Sequence, residues 1–80
     1  MDIKEIKEKV KAFLIDEMEI DPEKIVDDAR LKEDMGIDSL EVVDIVVLVE
    51  QEFDFKMKPE DFKNLVTFDQ FCRFIAERVA

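Results

Sequence analysis

Three residues, Pro22, Gly36 and Pro59, are the only glycine and prolines in this chain. These two residue types are the strongest local punctuation a sequence has. With so few of them, the 80 residues have room for long helices and little capacity for the tight hairpin turns of a β-protein. The length bounds the answer further. A chain this short makes one domain, over 1–80, near the lower limit for a self-sufficient core. That favours a compact helical bundle over a fold with a large cleft. Hydrophobic residues make up 48%, too many for a disordered segment.

Ile3, Ile6, Val10, Phe13, Leu14 and Met18 recur at helical spacing with charges between them, which predicts an amphipathic helix over 2–18. Asp21-Pro22-Glu23 has the form of a cap, a first-turn proline and a first-turn acid. It starts at most a short helical turn, with Ile25 and Val26 expected to point inward. From there to Asp38 no periodicity is sustained, and the segment reads as a long loop anchored by Leu31, Met35 and Ile37. Loops this long in small domains are functional or mobile. The stretch Leu40 to Phe53 is rich in strand-forming valine and isoleucine, but it is too long for a strand and holds neither Gly nor Pro. Its polar residues Glu41, Asp44, Gln51 and Glu52 share one helical side, and Val42, Val46 and Val49 another. It reads as a helix. Pro59-Glu60-Asp61 opens a short helix carrying Phe62, Leu65 and Val66. Thr67 and Gln70 have capping-box spacing before a last helix over 68–79, whose apolar face is Phe68, Phe71, Cys72, Ile75 and Val79. The expected fold is all-α: an antiparallel four-helix bundle of three main helices, a short third helix and a long first connection.

Composition narrows the chemistry. The chain has no histidine and a single cysteine, Cys72. Histidine-based acid–base catalysis, Ser-His or Cys-His nucleophiles and the usual zinc sites are therefore excluded. An independent enzyme is not expected, and no internal disulfide can form. Cys72 lies on the apolar face with no basic neighbour to stabilise a thiolate, so packing is its expected role. The net charge is −10, which repels nucleic acid and steers in partners with basic patches. From Glu33 to Phe55 there are eight acids and no Lys or Arg, whereas the first helix carries Lys4, Lys7, Lys9 and Lys11. No apolar run is long enough for a membrane span, and the charged N-terminus resembles neither a signal nor a transit peptide. A cytoplasmic location is expected.

The segment Met35-Gly36-Ile37-Asp38-Ser39-Leu40 lies where the long loop enters the central helix. Gly36 can take the positive φ of a sharp turn. Asp38 or Ser39 is the N-cap, and Glu41 follows Asp38 at capping-box spacing. Ser39 thus presents its hydroxyl at a helix N-terminus, where unpaired N–H groups and the positive dipole end favour an attached phosphodiester. Taken alone, a serine or aspartate before an apolar run is ordinarily a cap.

With its context, the segment says more. Followed by the acidic-apolar helix ending Val49-Glu50-Gln51-Glu52-Phe53, it resembles the acyl carrier protein family, in which an Asp-Ser-Leu triplet follows a glycine two residues upstream. The resemblance covers nearly the whole chain. It implies that Ser39 is esterified by 4'-phosphopantetheine, supplied from coenzyme A by a phosphopantetheinyl transferase. It implies that Asp38 helps that enzyme hold Mg²⁺ and position the serine. The arm's thiol then carries the acyl group as a thioester, and the domain itself catalyses nothing. By the same resemblance the central helix is the recognition surface for acyl-loading and acyl-processing enzymes with basic patches. Its recognition residues are Leu40, Glu41, Asp44, Val47, Leu48, Glu50 and Gln51. An acyl chain is expected between helices, against Val42, Val46, Val49, Met57, Phe62 and Leu65. Phe62 falls where relatives often carry a small residue, so it could restrict chain length. A monomer is expected.

Some positions depart from the family pattern. Pro59 is displaced relative to the usual Ile-Pro, Lys56 and Lys58 stand nearby, and Val42 replaces a common threonine. These changes are compatible with a dedicated carrier for a specialised lipid, polyketide or other acyl pathway in place of general fatty-acid synthesis. An aminoacyl or peptidyl carrier would share Ser39 and its arm. An acidic adaptor with Ser39 as a mere cap belongs to another class. A calcium sensor is excluded, because no Asp-x-Asp-x-Asp-Gly loop occurs.

Overall fold

A computed structural model describes residues 2–79. The described residues form four helices and one 3-10 turn: α1 (Ile3–Met18), the turn Pro22–Lys24, α2 (Ser39–Phe53), α3 (Pro59–Lys63) and α4 (Phe68–Val79). The all-α four-helix bundle expected from the periodicity is what the chain adopts. Each start has a polar reason. Asp2 caps α1 through the N–H of Lys4. Asp21 caps the 3-10 turn through Glu23, with Pro22 just inside it. Asp61 accepts from the N–H of Lys58 at 3.2 Å to close the first turn of α3. The capping box before α4 is reciprocal. The N–H of Gln70 donates to Thr67 Oγ1 at 3.2 Å, and the N–H of Thr67 donates to Gln70 Oε1 at 3.4 Å.

Two helix ends dispense with glycine. Glu19 and Asp54 take the left-handed conformation, at φ 55° and 56°. Beyond the first, the Ile20 N–H donates to the Leu14 carbonyl at 3.2 Å, and Asp54 donates to Glu50 at 2.9 Å. These bonds satisfy carbonyls that a helix end otherwise leaves open.

The β-branched residues of α2 are helical because one stripe of them is buried. That stripe is Val42, Ile45, Val49 and Phe53, spaced three or four apart, so burial outweighs strand propensity. It differs from the expected Val42, Val46 and Val49. Ile45 occupies the centre and is fully buried, while Val46 flanks the stripe and is half-buried. α1 and α4 each contribute four buried residues to the same core: Ile6, Val10, Phe13 and Leu14, and Phe68, Phe71, Cys72 and Ile75. Phe71 and Phe62 meet edge to face, with centroids 5.4 Å apart and planes at 75°, a favoured arrangement for aromatic rings.

The long connection between α1 and α2 is irregular but pinned. Ile25, Ala29, Leu31, Met35 and Ile37 are buried. Backbone bonds tie the segment to the strand-like entry of α4: Leu31 N–H to Val66 O at 2.8 Å, Phe68 N–H to Ala29 O at 2.9 Å and Asp69 N–H to Asp27 O at 3.0 Å. Val26, expected to point inward, is instead 50% exposed, and Val66, which lies beyond the end of α3, is 55% exposed. Their immediate neighbours Ile25 and Leu65 take the inward direction instead, Ile25 buried and Leu65 half-buried.

A charged clamp reinforces this pinning. Lys7 Nζ lies 3.0 Å from Asp27 and 2.9 Å from Asp69, and Asp69 also receives Arg73 at 2.7 Å. Lys7 and Asp69 are half-buried, so water screens their pair less than a surface pair. Hydrogen bonds from Lys7, then Arg73, hold the Asp69 carboxyl below its usual 3.8. Bonds to Asp69 and Asp27 hold the Lys7 ammonium above its usual 10.5. Replacing Lys7 with Met should lower stability by about 1 kcal/mol, or about 4–8 °C in Tm. Asp69's contribution is complete above its unfolded value and fades as pH falls through the lower folded one. Lys7's is complete below its unfolded value and fades as pH rises through the higher folded one. The gap between wild type and variant in urea titrations should therefore be widest between those limits and close beyond both.

Candidate cofactor-attachment site

The approach to α2 is built residue by residue. Met35 and Ile37 turn into the core and Gly36 between them turns out. Gly36 stands at φ +73° with nothing within 4 Å of where a Cβ would sit, so backbone conformation and not space calls for glycine. The N–H of Ile37 closes the loop onto the Leu31 carbonyl at 3.1 Å. The next three side chains, Asp38, Ser39 and Leu40, all point to solvent.

Asp38 is the N-cap and Ser39 the first helical residue. The Asp38 Oδ1 atom accepts from the N–H of Leu40 at 3.0 Å and of Glu41 at 2.9 Å. Among the described residues, Glu41 returns no bond to the Asp38 N–H, so the capping box is half formed, and the Ser39 hydroxyl has no hydrogen-bond partner. The sequence expectation of a helix end rich in open N–H groups is corrected here. Two of those donors are already occupied by a carboxylate. What Ser39 retains is its own N–H, the positive end of the dipole and an unobstructed Oγ.

A cavity of about 530 Å³ opens beside Ser39, between the loop and α3. Asp38, Ser39, Val42, Phe62 and Leu65 are in its lining. Of the six residues expected to shelter an acyl chain, Val42, Phe62 and Leu65 therefore border the cavity. Val49 and Met57 are buried in the core, Val46 is half-buried, and none of these three reaches it. Among the expected recognition residues, Asp44, Glu50 and Gln51 are exposed and Glu41 is half-buried. Leu40 and Val47 are 79% and 47% exposed, but Leu48 packs against the core and is half-buried. Val43, which the sequence reading passed over, is 54% exposed. It is three residues from Leu40 and four from Val47, so the three make one apolar stripe along α2. That spacing was readable in the sequence. The strand-like density of valines hid it.

No cluster of three or more His, Cys, Asp or Glu side chains is placed to hold a metal, and no helix is long and apolar enough to cross a membrane, among the described residues.

A four-helix domain that presents an unpartnered serine on a capped helix has the form of a prosthetic-group carrier. The family model described as "Phosphopantetheine attachment site" matches residues 8–75. An acyl carrier protein of Thermosynechococcus vestitus is 39% identical over 80 residues, all of this chain and 99% of the relative. Acyl carrier proteins of Caulobacter vibrioides and Bdellovibrio bacteriovorus are 33% and 32% identical, over 95% and 88% of this chain and 97% and 90% of theirs. The chain belongs to the acyl carrier protein family. It is a carrier and not a catalyst, and its prosthetic group is phosphopantetheine.

Two substitutions separate the cap from any further role of Asp38. Asp38→Ala should cost about 1 kcal/mol through loss of the two cap bonds, whereas Asp38→Asn should cost a few tenths at most. Gly36→Ala should cost about 1 kcal/mol from the left-handed conformation alone, with no steric contribution. Chemical denaturation of the three variants measures each difference.

Proposed function

We propose that Ser39 is the residue that bears the phosphopantetheine arm, and that the protein delivers acyl thioesters from it to partner enzymes. The observation that carries this reading is the Ser39 hydroxyl. It is exposed, free of hydrogen bonds, and held at the first position of α2 by an aspartate that caps the helix in its place. The fit is supported by the chemistry present. The oxygen is accessible to a transferase, and a cavity opens beside it. The prosthetic group supplies the thiol that this chain lacks at its surface.

Asp38 accepts hydrogen bonds through Oδ1 and keeps Oδ2 for an outside partner. This supports a role in positioning Mg²⁺ for the phosphopantetheinyl transferase. Leu40, Val43 and Val47, ringed by Glu41, Asp44, Glu50 and Gln51, form an apolar anchor within an acidic rim. That combination suits enzymes with a basic patch around an apolar pocket. Val42, Phe62 and Leu65 give a carried chain apolar surface beside the attachment point. The names of the relatives favour an acyl over an aminoacyl cargo, with fatty-acid or specialised lipid and polyketide synthesis as the setting. One carrier domain, monomeric and cytoplasmic, is the form this reading assigns.

Intact mass after incubation with coenzyme A, Mg²⁺ and a broad-specificity transferase tests the assignment. Wild type should gain one phosphopantetheine and Ser39→Ala none, with unchanged helical circular dichroism. Addition to Ser39→Ala would refute it. Asp38→Asn should fold as wild type yet load at least tenfold more slowly, an effect of about 1.4 kcal/mol on the barrier. The pair Asp44→Lys and Glu50→Lys should lower kcat/KM with acyl-processing partners and flatten its salt dependence. Turnover that is unchanged with every partner would remove the recognition face.

A further inference from the structure

A phosphodiester on Ser39 would sit in an unfavourable electrostatic setting. Asp38 precedes it, Glu41 follows two residues on, and the whole chain carries −10. The usual remedy, a helix N-terminus with open N–H groups, is largely spent, because Leu40 and Glu41 already donate to Asp38. Countercharge must come from elsewhere. The cavity that Ser39 borders is also bordered by Arg30, Lys32 and Lys63. Arg30 is committed to Glu33 and Asp34. Lys32 and Lys63 are exposed and make no ion pair among the described residues. The acids that share the lining are Glu33, held by Arg30, and Asp38, held by the helix cap.

We propose that Lys32 and Lys63 are positioning residues for the prosthetic arm. They attract its phosphodiester across the cavity, so that the resting arm folds back over the apolar lining of Val42, Phe62 and Leu65 instead of extending into solvent. The chemistry matches along the arm's length. Its phosphate meets two ammonium groups, and its gem-dimethyl segment meets apolar walls of half-buried and buried side chains. The attraction is between exposed groups, so it is modest and weakened by salt. A basic partner seated on α2 supplies competing positive charge and releases the arm. This inference rests on Ser39 as the attachment residue.

The test uses the protein loaded from coenzyme A, wild type and Lys32→Gln/Lys63→Gln, each checked by intact mass. Two readouts are taken at low and high salt: backbone amide shifts on loading, and the rate at which a chromogenic disulfide reagent modifies the arm's thiol. Cys72 does not interfere, being fully buried with its thiol pushed up to about 12. Loading should shift the amides of Lys32, Lys63, Leu65 and Val66 as well as those next to Ser39. The wild-type thiol should react about threefold more slowly than that of the double variant at low salt, with the difference gone at high salt. Loaded protein whose shifts stay within 36–42, or whose thiol rate matches the variant's, overturns the proposal and leaves Ser39's assignment standing. Failure of the wild type to load overturns both.

Discussion

The site depends on how a stretch of chain without regular structure is held still. Ser39 lies at the end of the connection from α1, and its position follows from where that connection is anchored. Three backbone hydrogen bonds to residues 66–69, five buried side chains and the Lys7 clamp do the anchoring. The first and last quarters of the sequence thereby fix a residue in its middle. α1 supplies the cation, α4 supplies Asp69, and the loop supplies Asp27 between them. Bonds of this kind individually contribute about 1 kcal/mol. Their effect lies in removing alternatives for a segment that has no helix of its own to define it.

Charge divides the molecule by task. Cations that hold the fold, Lys7 and Arg73, are paired with Asp27 and Asp69. Among the described residues the exposed acids of α2 have no ion-pair partner, which is a cost in self-repulsion and a gain in long-range attraction. A small domain can carry this because its core is complete without that face. Val42, Ile45, Val49 and Phe53 bind α2 to the bundle from the other side.

Much of this was legible in the sequence. The bounds of α1 and α4, the caps at Asp21 and Thr67, and the loop anchors Leu31, Met35 and Ile37 follow from spacing and residue type alone. The proposed attachment motif stands out only with its context, because Asp38-Ser39-Leu40 by itself describes an ordinary cap. What stayed hidden depended on contacts distant in sequence. The bonds of Leu31 to Val66 and of Phe68 to Ala29, the direction of Val26, and the cavity beside Ser39 are set by the docking of the loop on the α4 entry. Leu48 was misplaced, and Val43 passed over, for a different reason. Across the unbroken apolar run from Ile45 to Val49, polarity does not mark which side faces water, and the rotation has to be read from the packing.

Cys72 has a consequence beyond packing. A thioester is consumed by any nearby thiolate, and a carrier with a reactive cysteine of its own could take cargo off its arm or form a mixed disulfide with it. Here the side chain is enclosed by the bundle and its ionisation is suppressed by burial, so the thiolate that would attack is scarcely formed. With no histidine in the chain, no imidazole is present to hydrolyse the ester either. The scaffold is thus chemically indifferent to what it holds, and the lifetime of a loaded thioester is left to water and to the enzymes that come to collect it.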